Sequence, residues 1–460
     1  MVLSPIQVAM ASSKSNVPAT ISDLPDEVLL MIFAYVGGNV DTYVEQKTEF
    51  YALSMTSRPF HRVAAEYLYK RCILQPETSR ALIRTVTISP SISSMIKEVE
   101  VGCHARVSAS RRSHGDLSLL IAKVTGLKLS YKDERRWIRQ LSRGVESAEA
   151  GLLLLQTPNI ESLVVGDQFR EINRRKHEPF RKPPFWMQLI IWATDELPRS
   201  SIHSFSILSR VHINMASSRQ VMLAHIFRIF RLPSMKAVTL VNAVEYGWNI
   251  DEKCYMDLLK NPSPVEELYF EDCIICEPVL SAIITSCGAL RCFDYDFVTD
   301  DPHAMEFPTI GRALQGHHLS LETLKLGCTY RRDNDNVYPL GSLKYFHKLT
   351  HIQADAGALI GYASQETLQI VEVLPKSIQA LVISIEDVGP CQGPIFEHVL
   401  CQLKGFMQLC AERFPLLRKV NIPSRQPLCS NCTVCTAFFE AFAGVSRNVL
   451  FPSVRNQDKC

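Results

Sequence analysis

Residues 264–273 read PVEELYFEDC, and three apolar side chains in them, Val265, Leu268 and Phe270, stand at i, i+3 and i+5. The same spacing returns in PNIESLVVG (Ile160, Leu163, Val165), SMKAVTLVN (Met235, Val238, Leu240), SLETLKLG (Leu321, Leu324, Leu326) and SIQALVIS (Ile378, Leu381, Ile383). Weaker copies centre on Val99, Phe205, Phe293, Ile352 and Val420. From Phe205 to Leu381 the centres lie 33, 30, 25, 31, 28 and 29 residues apart. A repeat of that period is one supersecondary unit stacked many times, not a single compact core. In each unit the apolar residues of a short strand point inward and the residues between them point out, onto a shared parallel sheet.

Applying those offsets, Glu267, Tyr269 and Glu271 stand on the exposed face of one unit and Cys292, Asp294 and Asp296 on that of the next. His351, Gln353 and Asp355 follow two units later. The mid-array face thus collects Glu267, Glu271, Asp294 and Asp296 around the ring of Tyr269, a substrate-binding surface suited to a basic peptide. Cys273 falls at the end of its strand, where a small group satisfies turn backbone, so it reads as structural rather than reactive. No histidine, nucleophile or glycine-rich loop converges on the carboxylates, so the face reads as non-catalytic and the protein as no enzyme.

The 460 residues exceed the usual single-core limit but suit an elongated array. The net charge of +2 is small, yet unevenly spread. Residues 101–186 carry 16 Lys and Arg against 9 Asp and Glu, whereas residues 251–306 carry 13 acids against 3 bases. The 15 cysteines are scattered through apolar runs, as expected of free thiols in a reducing compartment. The opening residues make a poor signal peptide, and no apolar run approaches the roughly 20 residues needed to cross a bilayer. The expected location is therefore the cytoplasm, the nucleus or both, with no membrane contact. Cys429, Cys432 and Cys435 have thiolate spacing for zinc but lack a local fourth ligand, so no metal and no cofactor are expected. The basic insertion with Arg174, Arg175, Lys176, Arg181 and Lys182 has no aromatic interleaving and reads as a solvated loop, with no nucleic acid as partner.

Ahead of the repeats the pattern changes. Residues 1–20 lack periodicity and read as a disordered tail. Pro25, Asp26 and Glu27 then suit a first helical turn, and Val28, Leu29, Ile32, Phe33 and Val36 form an apolar stripe. A second helix is expected from about Phe50, and Pro59 interrupts it or opens a third carrying Phe60, Val63, Ala64, Tyr67 and Leu68 on one face.

LPDEVLLMIFAYV followed by YALSMTSRPFHRVAAEYLYKRCIL resembles an F-box. The resemblance rests on Leu24, Pro25, Glu27, Val28, Leu29, Ile32 and Phe33, then Leu53, Thr56, Ser57, Arg58 and Phe60, in order over about a tenth of the chain. The polar stretch Gly37–Glu49 is longer than the family's usual inter-helix turn. An F-box before irregular leucine-rich repeats is similar to the substrate receptors of cullin-RING ubiquitin ligases, fungal ones in particular. That resemblance implies that Leu24, Pro25, Glu27, Val28, Leu29, Ile32, Phe33, Leu53 and Phe60 bind a Skp-type adaptor and through it cullin, while the repeats bind an unknown substrate protein. The competing expectation is a binding scaffold that acts independently of cullin. The expected fold is α/β: a small helical F-box module over 21–74, then an irregular leucine-rich-repeat solenoid over 75–425 with parallel strands inside and helices outside. Residues 426–460 are expected to form an irregular tail.

Overall fold

The computed structural model describes residues 21, 24–38, 43–75, 78–102, 117–166, 183–195, 202–215, 223–245, 258–260, 262–299, 307–330, 337–361, 368–385, 394–423 and 449–450. The expected N-terminal tail, the basic insertion and the three C-terminal cysteines lie outside these residues. Two compact units divide the chain between Arg71 and Cys72.

The first unit contains three helices, α1 (Asp26–Gly38), α2 (Tyr43–Ser54) and α3 (Arg58–Lys70). Helix α2 begins seven residues earlier than the apolar pattern indicated; the polar residues ahead of Phe50 lengthen the helix rather than link two helices. Pro59 sits in the first turn of α3, where its missing N–H costs nothing, and the Ser57 hydroxyl caps that turn by accepting from the Phe60 N–H. Leu29, Phe33, Phe50, Phe60, Val63 and Ala64 make the core. Phe33 meets the edge of Phe60 at 5.5 Å between centroids, and Phe50 stacks on Tyr67 at 4.7 Å. The Tyr67 hydroxyl donates to the Leu30 carbonyl at 2.7 Å, tying α3 to α1.

The second unit is the repeat array. Its strands are β1 (Arg71–Leu74), β2 (Glu98–Val101), β3 (Ser162–Val165), β4 (Arg210–Asn214), β5 (Ala237–Val241), β6 (Val244–Glu245), β7 (Glu267–Glu271), β8 (Ile274–Ile275), β9 (Cys292–Thr299), β10 (Thr323–Tyr330), β11 (His351–Asp355), β12 (Ala380–Ser384), β13 (Lys419–Asn421) and β14 (Val449–Leu450). All but β6 and β8 join one 12-stranded sheet in chain order, parallel from β2 to β14. β6 and β8 pair separately, just past the turns that end β5 and β7. Helices lie between the strands, and the apolar face of the sheet is buried.

The register of the sheet reproduces the spacing in the sequence. Val99, Leu163, Val211, Val238, Leu268, Phe293, Leu324, Ile352, Leu381 and Val420 stand side by side in one buried row. The exception among the expected centres is Phe205. It lies ahead of β4 with a left-handed φ of 50°, and Val211 takes the central place. Ile202, Phe205 and Ile207 copy the spacing of Leu208, Val211 and Ile213. Only burial separates the two readings: Ile213 is 1% exposed and Ile207 38%. The sheet also runs past residue 425. β14 pairs with β13, so the stretch expected to be an irregular tail supplies a strand.

Two devices fix the stacking. Along the sheet from β2 to β12 the carbonyl before each strand accepts two N–H groups from the next unit, as Glu266 does from Arg291 (2.7 Å) and Cys292 (3.1 Å), and Thr350 from Gln379 (2.8 Å) and Ala380 (3.0 Å). A serine ahead of the first apolar residue donates to the preceding unit: Ser234 to the Leu208 carbonyl, Ser320 to that of Leu290 and Ser377 to that of Leu349, at 2.7–2.8 Å. These bonds satisfy coil backbone that is shut off from water. The three serines stand in the quoted repeats, so a seven-residue template would have included them.

Between β2 and β3 lie three helices, α6 (Leu117–Thr125), α7 (Tyr131–Ser142) and α8 (Glu146–Leu154); α4 (Ser79–Ile88) and α5 (Pro90–Met95) precede β2. The buried Glu149 carboxylate of α8 accepts from the Ser79 hydroxyl and from Arg80 Nε at 2.9 Å, while Arg80 Nη2 reaches the Leu141 carbonyl of α7. Among the described residues of this segment no strand enters the sheet, and β2 pairs directly with β3.

Two histidines, the buried His317 and the half-buried His203, act as backbone staples. His317 Nδ1 accepts from the Leu290 N–H and its Nε2 donates to the Ile284 carbonyl at 2.9 Å. His203 does the same with the Phe205 N–H and the Leu154 carbonyl. Accepting at Nδ1 while donating at Nε2 requires the neutral ring, and burial pushes both imidazoles below the ordinary 6.5, outweighing the carbonyl bonds. The unfolded chain therefore binds more protons between the folded values and 6.5. The stabilisation is full above 6.5 and is lost as pH falls through the folded values. The urea midpoint is expected to drop between pH 7.5 and 5.5, and the His203→Gln, His317→Gln pair should flatten that drop. An unchanged slope in the pair would assign it to other groups.

Candidate binding surfaces

The helical module separates into a core and an outer face. Leu29, Phe33 and Phe60 are 0%, 2% and 9% exposed, and Ile32 and Leu53 pack half-buried against them. These five residues were expected to touch a partner. The structure gives Leu29, Phe33 and Phe60 to the core instead, because three short helices have few other large residues with which to build one. Leu24, Pro25, Glu27 and Val28 do face outward. Met31 and Tyr35 on α1, 73% and 74% exposed, also face outward, as do Tyr51 on α2 and Met55 just past its end; none of the four is among the residues the family motif marks. Val28, Met31 and Tyr35 follow one another at i, i+3 and i+7, so α1 carries an apolar line on its outer side as well as its inner one. The signal was present: a helix apolar all round, in a unit too small to bury both sides.

On the sheet, the residues alternating with the core row form the outer face. Glu267 pairs in register with Cys292, Thr323 and His351; Tyr269 pairs with Asp294, Lys325 and Gln353. Glu271 and Asp296 are exposed, while Glu267, Tyr269 and Asp294 are half-buried. The Tyr269 hydroxyl donates to Glu267 Oε2 at 2.9 Å; burial, with Cys292 and Glu267 adding to it, pushes the phenol pKa up. Lys325 reaches Asp294 Oδ2 at 2.7 Å, and that hydrogen bond raises the lysine pKa. The four carboxylates are thus not equally available, since Lys325 neutralises one of them. The offset that exposed Asp294 also exposes Lys325 on the next strand.

Asp355 departs from the expected face altogether. It is 3% exposed and caps the helix Ala356–Ile360 by accepting from the Gly357 N–H at 2.7 Å. A strand that runs straight into a helix turns its last residue away from the sheet surface.

Cys273 is fully buried, its thiol reaching the Leu240 carbonyl while the sulfur accepts from the Ala243 N–H. Burial pushes its pKa up to about 12, so the thiol stays protonated and does not attack. Asp272 ahead of it and Asn242 one unit earlier hold φ of 51° and 56°, the left-handed turn that lets each strand end sharply. Among the described residues no cluster of three or more metal-ligating side chains occurs, and no helix is long and apolar enough to cross a membrane. Cys429, Cys432 and Cys435 lie outside those residues.

A leucine-rich repeat domain family matches residues 125–450, and an F-box-like family matches residues 21–75. The chain is an F-box protein with C-terminal leucine-rich repeats. Both matches agree with the geometry: the F-box-like match spans α1 to α3, and the leucine-rich repeat match reaches β14. F-box domains in general bind Skp-type adaptors, and leucine-rich repeats in general bind proteins, as non-catalytic surfaces. No curated protein matches the chain.

Proposed function

We propose that this F-box protein is the substrate-recognition subunit of an SCF-type cullin-RING ubiquitin ligase, working in the cytoplasm, the nucleus or both. The observation that carries the reading is the outer apolar line of α1, Val28, Met31 and Tyr35, in a domain that matches the F-box-like family. Large side chains over 70% exposed in a unit this small favour a partner that covers them. That partner is a Skp-type adaptor, which in turn holds cullin. The chain has no active site of its own in this reading; ubiquitin transfer belongs to other subunits.

The substrate docks on the sheet face around Tyr269, with Glu271 and Asp296 as the exposed carboxylates and Glu267 and Asp294 half-buried beside them. Parallel strands about 4.8 Å apart hold these groups at fixed spacing, which suits a Lys- or Arg-rich segment. The test is affinity purification of the tagged full chain under proteasome inhibition. Adaptor and cullin should be recovered together; adaptor without cullin would assign the chain to cullin-independent scaffolding. The Glu271→Lys, Asp296→Lys pair should lower recovery of the substrate by about tenfold or more while the adaptor is retained, since each lost close charge pair is worth about 1.5 kcal/mol or more. Substrate recovery unchanged by the reversal and insensitive to salt would move the site off the sheet.

A further inference from the structure

Helix α7 has one face in the core and the opposite face charged with a single sign. Trp137 and Leu141 are fully buried; Trp137 donates to the Ala148 carbonyl at 3.0 Å and stacks on Phe185 at 5.0 Å. These contacts leave the helix no rotational freedom. Lys132, Arg135, Arg139 and Arg143 then stand outward and exposed. At 3.6 residues per turn they fall within an arc of about 80° and along about 16 Å of axis.

No acid shares that arc. Asp133, at its side, accepts from the Ser130 hydroxyl that caps the helix, and Glu134 is half-buried on another side. Lys132, Arg135 and Arg139 make no ion pair among the described residues. Arg136 shows the alternative: it turns aside, over the Phe185 ring at 4.5 Å and onto the Pro183 carbonyl at 3.1 Å. Like charges at i, i+3 and i+4 destabilise a helix, so a row of three, unpaired among the described residues, favours something anionic laid along it.

We propose that this stripe docks an acidic segment of another protein, one that places carboxylates at helical spacing opposite Lys132, Arg135 and Arg139. Arginine forks match carboxylates in pairs, and a second helix offers its own i, i+3 and i+7 groups at the same rise. The chain's charge argues against a polyanion of larger reach. The net charge is only +2: the excess of bases is confined to residues 101–186 and residues 251–306 are strongly acidic, so the positive field is local and suits a short acidic segment better than a long nucleic acid. Tyr131 is the one large exposed apolar side chain on this helix, too little to insert into a bilayer. The surface takes no residue of the sheet face and stands whether or not cullin is a partner.

The experiment uses the full chain and a fluorescein-labelled helical peptide of about 16 residues whose glutamates follow the i, i+3, i+7 spacing. Anisotropy is read at about 0.15 M salt, where non-specific attraction is screened. The wild-type chain should bind saturably, and the Arg135→Glu, Arg139→Glu pair should bind at least about tenfold more weakly with an unchanged melting temperature. If that pair fails to fold, the Arg135→Gln, Arg139→Gln pair should show a loss in the same direction. The proposal is overturned by any of four results: no saturable binding, equal binding of a peptide with the same glutamates scattered round its helix, full retention in the variants, or tighter binding of duplex DNA or phosphatidylserine vesicles.

Discussion

The Met31→Glu, Tyr35→Glu variant is expected to lose binding to a Skp-type adaptor by at least about 100-fold, because each carboxylate would be desolvated against an apolar surface and 100-fold corresponds to only about 2.7 kcal/mol. Both side chains are more than 70% exposed and touch none of the core, so the melting transition of the module should not move. Phe33→Ala is the informative contrast. Phe33 is 2% exposed and rings with Phe50, Phe60 and Tyr67, so its loss should cost roughly 3–5 kcal/mol and abolish binding by unfolding the helices. Isothermal titration with purified adaptor, paired with circular dichroism, separates the two effects. Wild-type affinity in the folded glutamate variant would remove α1 from the interface.

Gly311→Ala is expected to destabilise the repeat array by about 3 kcal/mol or more, an effect of the size reached when a close-packed site is overfilled. Gly311 lies in the helix Phe307–Gln315, where a methyl would stand 1.8 Å from the Leu340 carbonyl oxygen. Leu340 is buried, and its N–H donates to the Ala358 carbonyl at 2.7 Å, so its backbone cannot withdraw without breaking that bond. Gly405→Ala is the matched control. It sits in the helix Pro394–Arg413 with nothing within 4 Å of an added methyl, and the exchange should gain about 0.5–1 kcal/mol from backbone entropy. Urea unfolding of both variants decides; equal midpoints would mean that Leu340 shifts freely.

Much of the fold was legible because the repeat is local and periodic. The spacing of apolar residues at i, i+3 and i+5 names the residues of the buried row, and the sheet aligns nine of the ten expected centres in register. Phe205 lies off the row because two successive triplets six residues apart satisfy the same template, and only contact with the neighbouring strand chooses between them. The helices between β2 and β3 carry no strand signal at all.

The sequence by itself determined that this chain is a stacked array behind a small helical module, since period and composition depend on neighbours along the chain. It also determined that Glu271 and Asp296 face out, because strand alternation is a local rule. Only the tertiary structure decided which apolar residues of the module are core and which are surface. Leu29 and Val28 are adjacent and equally apolar, yet one is fully buried and the other 38% exposed. Only the structure paired Lys325 with Asp294 and turned Asp355 into a cap. The burial pattern of the module and the Lys325–Asp294 pair depend on what lies across a helix or a strand, tens of residues away, and hydrophobic pattern carries no record of that neighbour.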